Sequence, residues 1–252
     1  DLEEEITNRD PRLYQIVDNS HKPYYVRNGV REANEAANRV GASKAITGYD
    51  CVKFHHANTA QQEARSSSFD WFVYRYAEVL LINAEAHAEL GTCTQDVLDK
   101  TINKLRDRVG MAHLTTTPVA DAKPINYGYP LSNLIYEIRR ERRIELVAEG
   151  FRLDDLKRWN AMKLMENPKT MLGIRITPKS ISGFPAGTFD GKNGRPTIEY
   201  NGATYIYQYK AAKQLDDAGR KWKANDRRFL YPLPKEELVL NEALKPQNPG
   251  WE

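Results

Sequence analysis

The stretch that decides the fold runs from Pro130 to Trp159 and reads Pro-Leu-Ser-Asn-Leu-Ile-Tyr-Glu-Ile-Arg-Arg-Glu-Arg-Arg-Ile-Glu-Leu-Val-Ala-Glu-Gly-Phe-Arg-Leu-Asp-Asp-Leu-Lys-Arg-Trp. Leu131, Leu134, Ile135 and Ile138 recur at helical spacing, and Ile144, Leu146, Val147 and Ala148 continue the stripe. Ser132 is placed as the N-cap, and Gly150 as the residue just past the helix end. A second helix then runs to Trp159. The first helix carries Glu141 and Glu145 among Arg139, Arg140, Arg142 and Arg143, so opposite charges fall three and four residues apart.

Two meanings compete for these charges. Glu141, Glu145 and Glu149 lie one turn apart, and two carboxylates so placed could share acid and base roles. A general acid needs a raised pKa, however, and neighbouring guanidinium groups favour the ionised carboxylate. The pattern is therefore read as a structural charge network of Glu141, Arg142, Glu145, Glu149 and Arg152, locking two helices together against the helical hairpin described next.

That hairpin lies upstream. Phe69 to Leu90 is rich in Ala, Leu and Glu and is closed by Gly91, which predicts a long helix. Thr92 and Gln95 have capping-box spacing and open a second helix with Leu98, Ile102, Leu105 and Val109 on one face and Gly110 at its end. Ala77, Ala84 and Ala88 allow close helix approach, as in tetratricopeptide-type units. Nearer the start, Asp10 caps a short turn with Pro11 at its first helical position. From Asp18 to Ser68 no period is sustained, and long irregular segments of that kind are often functional.

Past Trp159, Asn167-Pro168 and two glycine-rich stretches break the helical texture. Thr197–Tyr200 and Ala203–Tyr207 flank Asn201-Gly202, the preferred two-residue hairpin turn, so Ile198 should face Tyr205 and Tyr200 should face Ala203. Tyr205, Tyr207 and Tyr209 share one face, which is read as the packing face of the ribbon.

Bulk properties remove several function classes. With 252 residues the chain can bury a proper core, and 40% hydrophobic against 28% charged residues is ordinary for a globular protein. A net charge of +3, with no basic block interleaved with stacking aromatics, argues against nucleic acid. No apolar run approaches a membrane span. Cys51 and Cys93 lack Cys-x-x-Cys spacing, which leaves free thiols and a disulfide both open. His55 and His56 are adjacent, so in an extended segment they point apart and do not converge on one metal ion; no metal and no cofactor is expected.

Several stretches together carry a family likeness. Asn8-Arg9-Asp10-Pro11-Arg12-Leu13, Tyr74-Arg75-Tyr76-Ala77-Glu78-Val79-Leu80-Leu81 with Ala84-Glu85-Ala86, the Arg/Glu helix, and the closing Tyr231-Pro-Leu-Pro234 with Gln247-Asn-Pro-Gly250 resemble the SusD/RagB family in order and spacing. The resemblance spans nearly the whole chain and matches the C-terminal half of such a protein. It implies a mainly α fold, with tetratricopeptide-like helical hairpins, a large irregular loop-rich part and a small β-hairpin. Residues 1–252 are then the C-terminal part of one domain. Within it, 1–68 is the irregular candidate ligand-contact region, 69–110 the hairpin, 130–165 the Arg/Glu helix pair, and 166–252 the loops, β-hairpin and closing segment.

The resemblance also implies a function. Family members are non-enzymatic outer-membrane lipoproteins that capture oligosaccharides, or in some cases peptides. They pass them to a SusC-like TonB-dependent transporter, and are anchored through an N-terminal cysteine that would precede this chain, in the missing half. Glycan binders of the family use aromatic side chains beside amide and guanidinium donors. The corresponding candidates here are Tyr24, Tyr25, Arg27, Asn28, Tyr49, Phe54 and Asn58. A pyranose offers a flat C–H face to an aromatic ring and a rim of hydroxyls to polar groups, which suits this mix. The alternatives are a tetratricopeptide-type scaffold for a partner protein and a glycoside hydrolase, which would require two carboxylates converging in a cleft.

Overall fold

Tyr76–Glu89 forms the longest helix among the described residues, and the core is packed around it. The computed structural model describes residues 2–17, 26–27, 30–31, 47–49, 51–54, 56, 58–61, 65–70, 72–181, 186–189, 196–207 and 220–251. Eight α-helices are present among them: α1 Leu2–Ile6, α2 Pro11–Ile16, α3 Tyr76–Glu89, α4 Gln95–Lys100, α5 Ile102–Arg108, α6 Asn133–Glu145, α7 Arg152–Arg158 and α8 Lys235–Leu240. Two antiparallel ribbons complete the described residues, β1 Val26–Arg27 with β2 Val30–Arg31, and β3 Thr197–Tyr200 with β4 Ala203–Ile206.

The hairpin starts later and is more broken than its composition predicts. Phe69, Asp70 and residues 72–75 are not helical, and α3 begins at Tyr76. Its end is as expected, with Gly91 in the left-handed region at φ 69°. The next cap is Thr94, whose hydroxyl accepts from the Val97 amide, and not the Thr92 of the capping-box pattern. Thr101 then interrupts the second arm, because its hydroxyl donates to the Val97 carbonyl at 2.5 Å and its backbone departs to φ −124°, ψ −92°.

Apolar faces of these elements meet in one core. Leu80, Leu81 and Ala84 of α3, Leu98 of α4, Ile102 and Leu105 of α5, Leu114, Ile138 of α6 and Leu146 pack together and are buried. Leu81, Leu98, Ile102 and Ile138 are fully excluded from solvent, each worth about 1.5–3 kcal/mol of transfer free energy. A second cluster of Tyr127, Leu156, Trp159, Ala161 and Met162 sits under α7. There the guanidinium groups of Arg139 and Arg158 each lie 4.7 Å from the Trp159 ring centre.

The β-hairpin takes the predicted register, with Ile198 opposite Tyr205 and Tyr200 opposite Ala203. Asn201 and Gly202 both have positive φ, 49° and 72°, as that turn requires. The ribbon is not isolated, because Gly173 and Ile176 donate to the carbonyls of Ile206 and Thr204, and Ile174 donates to Thr47. Gly173 is needed for this approach, since a Cβ there would meet the Thr47 carbonyl oxygen at 2.5 Å. Tyr207 is buried in the packing face; Tyr209 lies outside the described residues.

The closing motif has a plain structural meaning. Gln247 accepts from the Leu233 amide at 2.7 Å and donates to the Leu233 carbonyl at 2.8 Å, so one side-chain amide supplies both halves of a strand partner to the Pro-Leu-Pro segment. Trp251 donates its indole N–H to the Leu230 carbonyl at 2.8 Å, which ties down the end of the chain.

Candidate functional site

Two constellations could carry function, and the Arg/Glu helix holds them together. Ser132 caps α6 through the Ile135 amide as predicted, but the helix stops at Glu145, five residues before Gly150. Ala148 and Gly150 then take positive φ, 64° and 90°, and turn the chain into α7. The early stop follows from how the last carbonyls are satisfied. The Lys53 ammonium donates to the carbonyls of Glu145 at 2.9 Å and Val147 at 3.0 Å, and Arg75 donates to that of Glu145 at 2.9 Å.

The carboxylates of α6 face inward, although alternating charges usually mark a solvated face. Glu141 accepts from Arg12 at 2.5 Å and from Arg106 at 3.0 Å. Glu145 accepts from Arg12 at 3.1 Å, Arg75 at 3.0 Å and Arg108 at 2.7 Å. Glu149 accepts from Lys53 at 2.5 Å and Arg75 at 2.7 Å. Arg142 donates through Nε to both oxygens of Asp155 at 2.9 Å, and Asp155 also holds Arg158 at 2.9 Å. Arg158 in turn forks onto Glu85 at 2.8 and 2.7 Å. Arg152 differs from the other four residues expected in this network: it hydrogen-bonds Tyr127 and lies 5.9 Å from the Trp159 ring centre, and its Nη1 is buried without a hydrogen-bond acceptor.

One titration follows from this wiring. Burial pushes the Glu149 carboxyl up, but hydrogen bonds from Arg75 and Lys53 outweigh it and hold the group below its ordinary value of 4.5. A carboxyl that binds its proton less readily when folded stabilises the fold above that ordinary value, and the contribution is lost as pH falls through the depressed folded value. The melting temperature should therefore hold from about pH 7 down to about pH 5 and fall below about 4.5. Circular-dichroism melts across that range should show a shallower acid loss for Glu149→Gln; an identical acid limb would contradict this assignment.

Lys53 and Arg75 also carry the second constellation, an aromatic patch. Phe54, held at φ 71°, sets its ring 5.3 Å from that of Phe72, which lies 6.3 Å from Phe69; His56 lies 5.8 Å from Phe69. The Lys53 ammonium is 5.9 Å from the Phe54 ring centre. Phe69 and Phe72 are each more than two-fifths exposed. Phe54, Phe72, Phe151, Arg75 and Glu149 line a small cleft of about 50 Å³. Such a patch offers flat apolar faces beside cations whose positions are fixed by ion pairs, the elements of a platform for a polar ring.

The candidates from the irregular segment fall in different places. Phe54 is in the patch, and Asn58 is exposed, its side chain accepting from the Ala60 amide at 3.0 Å. Tyr49 lies elsewhere, donating its hydroxyl to Glu5 at 2.7 Å, and burial together with that carboxylate drives its pKa upward. Arg27 is described only by its backbone in β1, while Tyr24, Tyr25 and Asn28 lie outside the described residues. Phe69, Phe72, Lys53 and Arg75 were missed by sequence reasoning. The signal available for them was the aromatic density of Phe69-Asp-Trp-Phe-Val-Tyr74 directly after three serines, a poor start for a helix. Cys51 and Cys93 are both free thiols.

Relatives of known family match most of the chain. The SusD-like protein P2 of Formosa agariphila is 28% identical over 198 residues, which is 79% of this chain and 29% of that protein. SusD-like protein P38 of the same organism is 35% identical over 88 residues, 35% of this chain and 16% of that protein. A solved SusD-like carbohydrate binding protein from Bacteroides fragilis is similar at 25% identity with a TM-score of 0.60, covering 95% of this chain and 42% of that one. A further SusD-like structure from B. fragilis, at 24% identity and a TM-score of 0.59, covers 98% of this chain and 40% of that one, a likeness of fold. The chain thus spans less than half the length of each of these relatives. The SusD family profile aligns with residues 1–251, and the chain therefore belongs to the SusD family.

Proposed function

We propose that this chain is part of a non-enzymatic, cell-surface nutrient-binding protein that captures oligosaccharides, or alternatively peptides, and delivers them to a SusC-like TonB-dependent outer-membrane transporter. The observation that carries the reading is the family match over residues 1–251. A similar solved protein described as carbohydrate binding favours the sugar over the peptide. The carboxylates of α6 and of the turn after it support a role without catalysis, since Glu141, Glu145 and Glu149 are each held by at least two cationic side chains.

In this reading the Phe54–Phe72 patch contributes to the sugar platform, with Asn58 and Arg75 nearby as polar partners. Low affinity per site would suffice, because a binder tethered over its transporter works at high effective concentration. Titration calorimetry with a panel of neutral oligosaccharides and peptides tests it. At least one oligosaccharide should bind, and Phe54→Ala should weaken that binding by roughly 2- to 10-fold, the worth of one aromatic contact, with an unchanged far-UV spectrum. A panel in which nothing binds, or in which only peptides bind, removes the sugar reading. Co-purification from outer membranes of the source cells should recover the transporter.

A further inference from the structure

Eleven polar or charged residues are buried among the described ones, and ten of them engage a partner through their side chains. The eleventh is Glu78. It is 9% exposed, and its carboxylate makes no hydrogen bond and no ion pair among the described residues. The carboxylate is not sealed in, because it keeps contact with solvent and the residue lines the small cleft at the aromatic patch. The other walls of that cleft are Phe54, Phe72, Val73, Arg75, Glu149 and Phe151.

Helix formation alone does not account for this side chain. Glu78 stands in the first turn of α3, where the helix dipole favours a carboxylate, but a carboxylate in water meets that preference equally well. Of the three charged residues lining the cleft, Arg75 and Glu149 hold each other at 2.7 Å, which leaves Glu78 unmatched. Lys53, the other cation beside the patch, is taken by Glu149 and by the carbonyls of Glu145 and Val147. Withdrawing a carboxylate from water without a counter-charge is costly. The rings of the cleft also suit a cation, since Phe54 lies 5.9 Å from the Lys53 ammonium and Phe151 lies 5.3 Å from the Arg142 guanidinium. An ammonium group would meet both features, by donating to Glu78 and by lying among the rings; a hydroxyl would meet only the first, and an anion would be repelled. The space of about 50 Å³ decides the size of the guest. Water in the liquid takes about 30 Å³ per molecule, so the cleft admits one small substituent and not a whole sugar ring.

We propose that Glu78 is the counter-ion for an ammonium group in this cleft, and that the sugar taken by the Phe54–Phe72 patch is an amino sugar with a free amine. The inference rests on the sugar reading above and names the class of sugar. The amine enters the cleft and donates to the Glu78 carboxylate, while the ring that bears it stays outside, against the exposed Phe69 and Phe72. N-acetylation would remove the charge and add bulk that the cleft does not hold, so the site discriminates against acetylated sugars.

The test is a calorimetric titration at about pH 6, where sugar amines are protonated, with the equivalently linked trimers of glucosamine, N-acetylglucosamine and glucose, and with trilysine. The glucosamine trimer should bind about tenfold or more tightly than the glucose trimer, the worth of a charge-assisted hydrogen bond, and the acetylated trimer no more tightly than the glucose one. In Glu78→Gln that advantage should vanish, leaving the glucosamine and glucose trimers within about twofold of each other. Without ligand, Glu78→Gln should melt within about 4 °C of the parent, because only the interaction with the helix dipole is lost. Neutral trimers that bind as tightly as the amine, or an amine advantage that survives in Glu78→Gln, overturn the ammonium site and leave the sugar reading standing. Binding of trilysine alone, or of nothing, overturns both. A melting loss in Glu78→Gln far beyond that range shows that the carboxylate has an internal partner, which also overturns the proposal.

Discussion

Glu145→Ala is expected to cost the folded chain about 3–5 kcal/mol, the usual penalty for removing one partner from a buried ion pair. At this chain length that is a fall in melting temperature of roughly 6–20 °C. The loss is carried mainly by Arg12, whose side chain is 3% exposed against 2% for Glu145, so its guanidinium is left beside Glu141 and Asp10 with one bond broken. Arg108 is half exposed and its pair with Glu145 contributes little, since solvent screens it. Arg75 would keep Glu149 and the Glu145 carbonyl, so the aromatic patch should survive in the folded fraction. Thermal melts of Glu145→Ala and Arg108→Ala side by side test this: the first should fall steeply and the second barely. Equal shifts would mean that burial is not what sets the scale.

Arg142→Ala is the second large effect, at about 3 kcal/mol or roughly 6–12 °C, and its logic differs. Asp155 is buried and would retain only Arg158, whose own side chain is 43% exposed. The ring of Phe151, 5.3 Å from the Arg142 guanidinium, would lose its cation as well. Because this pair joins α6 to α7, the variant should loosen the turn between them and leave the Phe54–Phe72 patch in place. Affinity for a neutral oligosaccharide, measured on the folded fraction, should therefore stay within about twofold of the parent. Lost sugar binding at an unchanged melting temperature would reverse the assignment and place Arg142 in the sugar site.

How much of this was legible in the residues is clear from particular elements. The Asp10 and Ser132 caps and the Asn201-Gly202 hairpin register were readable because each depends on atoms two to five residues apart. The start of α3 and the end of α6 were not. Residues 72–75 stay out of the helix, and Arg75 is thereby placed to reach Glu145 and Glu149, seventy and more residues away. The last carbonyls of α6 are taken by Lys53 from a segment over ninety residues upstream, which ends the helix before its glycine. In each case a distant ion pair outweighed a helix propensity of at most about 1 kcal/mol per residue.

The candidate site divides in the same way. Phe54 was found because aromatic residues in an irregular segment beside polar donors are visible as composition, and Phe69 and Phe72 were hidden by the helix assigned over them. The buried, unsatisfied N–H groups of Arg139, Arg142 and Arg152 had no sequence signal, since an arginine one to four residues from an aspartate or glutamate reads as paired. Taken by itself, the sequence determined the family, the helical class, the caps and the β-hairpin, all set by local chemistry or by motif order. Only the tertiary structure decided that the Arg/Glu run faces inward and which carboxylate each buried arginine meets. Those outcomes depend on contacts such as Arg12 to Glu141, 129 residues apart, whose strength comes from burial that no stretch of chain possesses alone.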